Sequence, residues 1–260
     1  MNIRSVKQEI LNESMLKDII YFEEIASTNE YAKNNNLNSD TLIITSHQTA
    51  GKGRFNRKWE TTPSRDLTFS IIKNFKIAID EIHLINFYSS YILFSALKNY
   101  FGDSKDLEFS LKWPNDILLN GRKIAGILLD VKDLNSEIKK FIIGIGINVN
   151  GAEFEDELKA KATSLLNETN KYAVIENLLK EIMKKFYDNL YLLKNKNELM
   201  NSWTAHTNII GKTISFRKVS DGEELSVKVL NIDSDGGLKV MSGEGKITKY
   251  YSGEISLKYI

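Results

Sequence analysis

The sequence contains no cysteine, and this absence removes several classes of protein from consideration. Disulfide bonds, thiolate nucleophiles and cysteine-ligated zinc sites are excluded throughout the 260 residues. Histidine is scarce as well: His47, His83 and His206 are the only three, and they are far apart in the chain. They do not form the clustered pattern of a metal site, so we expect no metal-ligating residues.

The chain also lacks a long apolar run and a strong net charge. No run reaches the roughly 18 apolar residues that a membrane span needs. The first 20 residues are charged throughout, unlike a signal peptide. The 35 Lys and Arg residues almost balance the 34 Asp and Glu residues, which argues against a surface devoted to nucleic acid. We interpret the chain as a cytoplasmic globular protein.

Apolar periodicity predicts both helices and strands over most of the chain. Helical spacing occurs at residues 5–19, 30–33, 81–101, 173–193 and 198–206. Strand-like runs occur at residues 20–25, 41–46, 67–72, 108–112, 116–119, 123–130 and 141–147. Asn120-Gly121 lies between two of these runs and predicts a hairpin with a type I′ turn.

The residue pattern of the sequence changes near Gly211. The last 50 residues contain short β-rich runs separated by glycine-containing turns, a pattern typical of a small β-barrel or sandwich. The runs are residues 213–216, 225–232, 237–241, 246–251 and 255–260. We therefore predict two domains, residues 1–209 and 210–260.

A basic, glycine-containing segment stands out at residues 51–59, Gly-Lys-Gly-Arg-Phe-Asn-Arg-Lys-Trp. Its two glycines allow a ligand to approach the backbone closely, and its four cations suit a polyanion such as a nucleotide phosphate. The spacing is not that of a phosphate-binding P-loop, because Gly53 follows Lys52 where Ser or Thr is required. Two alternative interpretations of this segment remain. It could be a flexible surface loop, or a nucleic-acid-binding patch that stacks bases on Phe55 and Trp59.

A second polar group follows a predicted strand at residues 112–116, Lys-Trp-Pro-Asn-Asp. Pro114 must end the strand, which leaves Asn115 and Asp116 at an edge where they could face a pocket or simply close a turn. Further on, strand alternation places Lys123 and Ala125 on one face and Gly126 on the other. Gly126 then marks a close approach by a ligand or a backbone, and Lys123 is either a ligand-facing or a solvated charge.

Taken in order, these segments resemble biotin protein ligases over nearly the whole chain. The similarity is carried by Ser27-Thr28-Asn29, by residues 48–59 and 112–116, by Lys123 to Leu128, by Gly146-Ile147-Asn148 and by residues 253–257. Two positions depart from the family's Gly-Arg-Gly-Arg-x-Gly-Arg-x-Trp pattern. Lys52 replaces an arginine, which keeps the charge but loses the bidentate fork, and Asn56 replaces a glycine.

The resemblance implies an ATP-dependent enzyme that forms biotinyl-5′-AMP and passes the biotinyl group to a lysine of a biotin carboxyl carrier domain. It also implies Mg²⁺ and an α/β (α+β) fold, with a mixed sheet flanked by helices in a class II synthetase-like catalytic domain and a small C-terminal SH3-like β-barrel. The catalytic residues would be Arg54, Arg57, Asp116 and Lys123. The binding residues would be Ser27, Thr28, Asn29, Gln48, Gly51, Lys52, Gly53, Arg54, Lys112, Trp113, Asn115, Lys123, Gly126 and Asn148.

More specific roles follow from the same resemblance. Ser27, Thr28 and Gln48 would bind the biotin ring, and Asn148 would bind adenine. Lys52, Gly53 and Arg54 would surround the biotin carboxylate and the phosphate. Only about 20 residues precede Ile20, so we expect a ligase without the DNA-binding repressor domain that some members carry. Two alternative functions remain: a lipoate-type protein ligase and a non-enzymatic nucleic-acid-binding module. Whether the protein forms a homodimer stays open.

Overall fold

A seven-stranded mixed sheet forms the centre of the protein. The structure, a computed structural model, describes residues 3–102, 106–218, 222–251 and 254–256. The strands of this sheet are β1 (Asp18–Ile25), β2 (Thr41–Gln48), β3 (Leu67–Lys76), β4 (Phe109–Lys112), β5 (Asp116–Leu119), β6 (Arg122–Lys132) and β7 (Ile138–Ile147). Their order is β1-β2-β3-β7-β6-β5-β4. Strands β1 and β2 are parallel, and every other neighbouring pair is antiparallel.

Helices cover this sheet and bury its apolar side chains. They are α1 (Ile3–Glu13), α2 (Thr28–Asn34), α3 (His83–Phe101), α4 (Asp156–Lys159), α5 (Leu165–Thr169), α6 (Ile175–Asp188) and α7 (Lys196–Thr204). Helix α3 packs against α6 and α7, and α1 packs against α6. Most core residues of the sheet and of these helices form one continuous cluster. The predicted mixed sheet flanked by helices is confirmed. No helix among the described residues has the length and apolarity to cross a membrane.

The N-terminal helix is shorter than the predicted span of residues 5–19. It ends at Glu13, where the Ser14 hydroxyl donates to the Ile10 carbonyl at 2.6 Å. Parallel pairing with β2 then takes over from Asp18, which lies opposite Thr41. The β-branched pair Ile19-Ile20 suits a strand, so tertiary pairing overrides the helical spacing.

Several further elements differ from the predictions. The helix predicted at 173–193 ends at Asp188, and a 3₁₀ turn follows at Leu190–Leu193. Strand β7 begins at Ile138, before the predicted residue 141, because its early residues pair with the end of β3. The short helices α4 and α5 were not predicted, since neither is long enough to show a helical period.

The β5–β6 hairpin has the predicted turn. Asn120 and Gly121 have φ angles of 51° and 78°, the two positive values of a type I′ turn. The pairing then shifts within the hairpin: Leu118 lies opposite Lys123, but Ile117 lies opposite Ala125. Ile124 is therefore an extra residue on β6, and this β-bulge interrupts the simple alternation of side chains.

The C-terminal part folds as a separate antiparallel sheet. Its strands are β8 (Thr213–Arg217), β9 (Glu224–Ile232), β10 (Leu238–Ser242), β11 (Ile247–Tyr250) and β12 (Glu254–Ser256). Their order is β11-β10-β9-β8-β12, as expected of a small all-β unit. Gly253 and Leu257, which belong to the predicted C-terminal motif, lie outside the described residues. We propose residues 1–209 and 210–260 as the two domains.

Candidate active site

One large cleft contains the predicted site residues. Its volume is about 1200 Å³, and every predicted site residue except Gly51 lines it. The walls come from the start of α2, the segment 52–62, the β4–β5 loop, β6, β7 and the segment 153–162, with β8 and β9 at one side. Gly51 is buried beside the cleft, where a Cβ atom would stand under 3.0 Å from the Trp59 carbonyl oxygen.

The start of helix α2 forms a polar pocket at one end of the cleft. Ser27 is the N-cap of this helix, and its hydroxyl accepts a hydrogen bond from the Glu30 amide. Gln48, at the end of β2, accepts from the Thr28 amide at 2.8 Å and from the Thr28 hydroxyl at 3.1 Å. The sequence motif and the distant glutamine are thus brought together, as the resemblance implies.

Two residues that the sequence analysis missed complete this pocket. Ser70 of β3 is fully buried and its hydroxyl contacts Thr28 Oγ1 at 2.7 Å and Asn29 Oδ1 at 2.5 Å. Asp130 of β6 accepts from Asn29 Nδ2 at 3.0 Å. The available signal for Ser70 was its alternation with Thr68, which places two hydroxyl side chains on one face of β3. No local signal indicates Asp130, because its contact depends on the order of the strands in the sheet.

The basic segment forms a small hairpin of its own. Lys52 pairs with Lys58 in an isolated β-bridge, and the Gly53 amide donates to the Arg57 carbonyl at 2.7 Å. Arg54 reaches across the cleft, where its Nη1 donates to Asn115 Oδ1 at 3.2 Å. Lys52 Nζ lies 3.3 Å from a Glu30 carboxylate oxygen. The cleft therefore has a cationic rim.

Three glycines on β6 and β7 form a flat floor beneath this rim. Gly126 lies opposite Gly146, and Gly144 lies opposite Ser70. A Cβ atom at any of them would come under 3.0 Å from a cleft side chain: Lys123 at Gly126, Asn29 at Gly144 and the Trp59 ring at Gly146. Each glycine therefore allows one site residue to lie directly on the sheet.

The Lys123 ammonium group lies over this floor. Its Nζ is 2.6 Å from Asp116 Oδ1 and 5.4 Å from the centre of the Trp59 ring. The prediction that Lys123 and Gly126 face opposite sides was wrong, because Lys123 Nζ stands 2.9 Å from the position of a Gly126 Cβ. The bulge at Ile124 accounts for the change, since an extra residue reverses the alternation beyond it.

Comparison with known proteins identifies the family. Residues 21–148 match the Biotin/lipoate A/B protein ligase family, and residues 209–258 match the Biotin protein ligase C terminal domain. The chain is 32% identical over 254 residues to the bifunctional ligase/repressor BirA of Bacillus subtilis, covering 94% of this chain and 75% of that protein. The chain belongs to the biotin protein ligase family.

Other relatives of this ligase agree. It is 26% identical to the biotin–[acetyl-CoA-carboxylase] ligase of Mycobacterium tuberculosis, over 76% of this chain and 71% of that protein. The solved biotin protein ligase from Aquifex aeolicus in complex with biotin and ATP superposes with a TM-score of 0.76 at 29% identity, covering 93% of this chain and 98% of that chain. These relatives do not favour the lipoate-type or nucleic-acid-binding alternatives.

The ligase also has a cleft wall that sequence reasoning did not predict. The segment 153–162 pairs with β6 through Lys123, whose amide donates to the Lys161 carbonyl and whose carbonyl accepts from the Thr163 amide, both at 2.9 Å. Asn148, the predicted adenine contact, donates from Nδ2 to the Thr163 carbonyl at 3.0 Å. The backbone of Lys123 and the side chain of Asn148 therefore hold this wall in place.

A buried carboxylate fixes the neighbouring loop of the ligase. Asp66 accepts hydrogen bonds from the backbone amides of Thr62, Val149 and Gly151. Burial raises the pKa of this carboxyl, although the three amide donors oppose that effect. Asp66 was not predicted from the sequence, because its partners lie more than 80 residues away at Val149 and Gly151.

Proposed function

We propose that the protein attaches biotin to a lysine of a biotin carboxyl carrier domain through a biotinyl-5′-AMP intermediate. One observation carries this proposal: Lys123 Nζ lies on the glycine floor, in one cleft with the polar pocket of α2 and the cationic hairpin. A carboxylic acid whose polar ring occupies the pocket of α2 would place its carboxylate beside Lys123, among the cations that can bind phosphate.

In the first step, a biotin carboxylate oxygen bonds to the α-phosphorus of ATP, and the bond from that phosphorus to the bridging oxygen of pyrophosphate breaks. Both reactants are anions, so the cations must offset their repulsion as charge moves to the leaving group. Lys123 and Arg54 are suited to the junction of carboxylate and α-phosphate. Lys52 and Arg57 extend the positive charge along the rim of the cleft.

In the second step, the carrier lysine amine bonds to the acyl carbon, and the bond from that carbon to the phosphate oxygen breaks, releasing AMP. The amine must lose a proton to become a nucleophile. Asp116 Oδ1 lies 2.6 Å from Lys123 Nζ. We assign Asp116 to receive that proton or to orient the incoming ammonium group.

Mg²⁺ enters this proposal with ATP. No group of three or more His, Cys, Asp or Glu side chains is arranged to hold a metal in the part of the chain that the structure describes. Mg²⁺ keeps water ligands readily and binds through phosphate oxygens in many nucleotide sites. We propose that it is held mainly by the nucleotide phosphates.

The test is incubation with biotin, ATP, Mg²⁺ and an apo carrier domain, followed by intact-mass measurement of the carrier. The mass of the carrier should rise by one biotinyl group, and omission of ATP should abolish the change. A parallel reaction with lipoate in place of biotin separates the two acyl ligases. Modification by lipoate alone, or by neither acid, would refute the proposal.

A further inference from the structure

A turn of the C-terminal sheet contacts the β4–β5 loop, which directly precedes Asp116. This turn, residues 233–237, joins β9 to β10. The Trp113 side chain, 1% exposed, donates from Nε1 to the Gly236 carbonyl oxygen at 3.0 Å. The hydrogen bond joins residues 123 positions apart in the chain. It connects the small sheet to the β4–β5 loop of the large one.

Gly236 is the residue that permits this contact. Its φ angle is +75°, a left-handed value that favours glycine. A Cβ atom there would also come within 3.0 Å of the Phe87 ring and 2.8 Å from His83 Cδ2, both on helix α3. Any side chain at position 236 would therefore push the turn away from Trp113.

The turn is held rigid on its other side. Asp235 accepts hydrogen bonds from Lys249 Nζ at 2.5 Å, from the Tyr251 hydroxyl at 2.8 Å and from the Gly237 amide at 3.1 Å. Lys249 Nζ also lies 2.9 Å from Asp233 Oδ2. Because the turn is braced by its own sheet, it can act as a fixed support.

The loop that receives this support is short and carries active-site contacts. It consists of Trp113, Pro114 and Asn115, and it joins β4 directly to β5. Asn115 Oδ1 accepts from Arg54, while its Nδ2 donates to the Ile127 carbonyl at 2.5 Å. The next residue, Asp116, pairs with Lys123. A displacement at Trp113 is therefore passed to Arg54 and Lys123, the two cations proposed for the junction of carboxylate and α-phosphate.

We propose that Gly236 and Trp113 are positioning residues for adenylation. The C-terminal turn holds the β4–β5 loop so that Asn115 and Asp116 set the positions of Arg54 and Lys123. This inference rests on the proposed function. The polar pocket depends instead on Thr28, Gln48 and Ser70, so displacement of the turn should spare the binding of the biotin ring.

Two substitutions test the proposal from the two ends of the same hydrogen bond. Trp113→Phe keeps an aromatic ring but removes the donor, and Gly236→Ala moves the acceptor. Each should lower the kcat of biotin-dependent ATP–pyrophosphate exchange by about 10- to 100-fold, the scale of a small misplacement of catalytic groups. The KM for biotin should stay at the wild-type value. The double variant should be no slower than the slower single variant, because both break one contact.

Matched glycine variants control for strain and for general loss of stability. Gly245→Ala introduces a side chain at φ +81° with no atom within 4 Å, and Gly243→Ala introduces one in open space. Both should retain the wild-type kcat. All variants are compared well below their unfolding temperatures. If Gly236→Ala does not fold, Trp113→Phe decides the matter.

The outcomes separate this inference from the proposed function. If the wild-type protein catalyses no biotin-dependent exchange, the proposed function fails first. If the wild-type protein is active and Trp113→Phe keeps its kcat, the positioning role is refuted. A rise in the KM for biotin that equals the fall in kcat/KM, or additive losses in the double variant, would also refute it.

Discussion

At the scale of single residues, the active site depends on which side chains are absent as much as on which are present. Gly126, Gly144 and Gly146 let Lys123, Asn29 and Trp59 lie on the sheet itself. These three side chains therefore lie against the paired backbones of β6 and β7. Substitution of Lys123 should therefore mainly affect the rate of adenylation, and substitution of Gly144 should mainly affect the affinity for biotin.

Removal of the Lys123 ammonium group should slow adenylation most. Lys123→Ala should lower the rate of biotinyl-5′-AMP formation by about 10²–10³, by analogy with the loss of one donor that stabilises a transition state. Single-turnover measurement of biotinyl-5′-AMP formation checks this. Lys246→Ala, which removes an exposed lysine from the C-terminal sheet, is the control. Adenylation at the wild-type rate in Lys123→Ala would show that its assigned role is wrong.

A methyl group on the floor should instead weaken biotin binding. The Cβ of Gly144→Ala would displace the Asn29 amide, which contacts Ser70 and Asp130. Loss of such a buried hydrogen-bond arrangement costs about 1–3 kcal/mol, so the Kd for biotin should rise by roughly 10-fold. Calorimetric titration with biotin measures the change directly. Unchanged biotin affinity, with Gly243→Ala as the reference variant, would contradict the role given to this pocket.

At the scale of elements, the cationic hairpin is the part of the site that we expect to respond to ligands. Its contacts in the described residues include partly exposed ion pairs such as Lys52 with Glu30 and Lys58 with Glu60. Exposed pairs of this kind contribute only about 0–1 kcal/mol each. Phosphate oxygens can therefore replace these carboxylates readily.

Limited proteolysis tests this expectation. Trypsin should cut after Lys52, Arg54, Arg57 or Lys58 quickly in the protein alone and slowly when biotin and ATP are both present. The reason is that bound adenylate would engage the same cations and hold the hairpin against the floor. Biotin without ATP should protect less. Equal cleavage rates with and without both ligands would contradict closure of the hairpin.

The turn of residues 233–237 predicts a specific acid sensitivity. Burial alone would raise the pKa of Asp235, but the Lys249 ion pair and the hydrogen bonds from Tyr251 and Gly237 hold this pKa at about 2. A carboxyl with a lowered pKa stabilises the fold above its ordinary value of 3.8 and loses that contribution as the pH falls towards about 2.

Chemical denaturation at several pH values measures this contribution. Asp235→Asn should unfold more easily than the wild-type protein at pH 7, because it cannot pair with Lys249. The difference in unfolding free energy between the two should shrink as the pH falls from about 4 to about 2. A difference that stays constant over this interval would show that Asp235 does not brace the turn through its charge.

At the scale of the whole molecule, the sequence was informative where function depends on short segments and uninformative where it depends on the sheet order. Residues 48–59 and 112–116 carry many of the predicted site residues as contiguous motifs, and all of these except Gly51 line one cleft. The contributions of Ser70, Asp66 and Asp130 arise from pairing between distant strands, which no local pattern encodes. The bulge at Ile124 likewise depends on the register of β5 and β6.

The long-range contacts also determine when the polar pocket of α2 can form during synthesis of the chain. Asn29 Nδ2 bonds to Asp130, 101 residues later, and the floor under Asn29 is Gly144 of β7, the strand inserted between β3 and β6. During synthesis on the ribosome, residues 27–48 emerge long before these partners do. A nascent chain that stops before Gly144 contains the whole Ser-Thr-Asn motif but lacks the strand that forms the floor of the pocket. Retention of such chains on a biotin resin should therefore begin only at lengths that include β7.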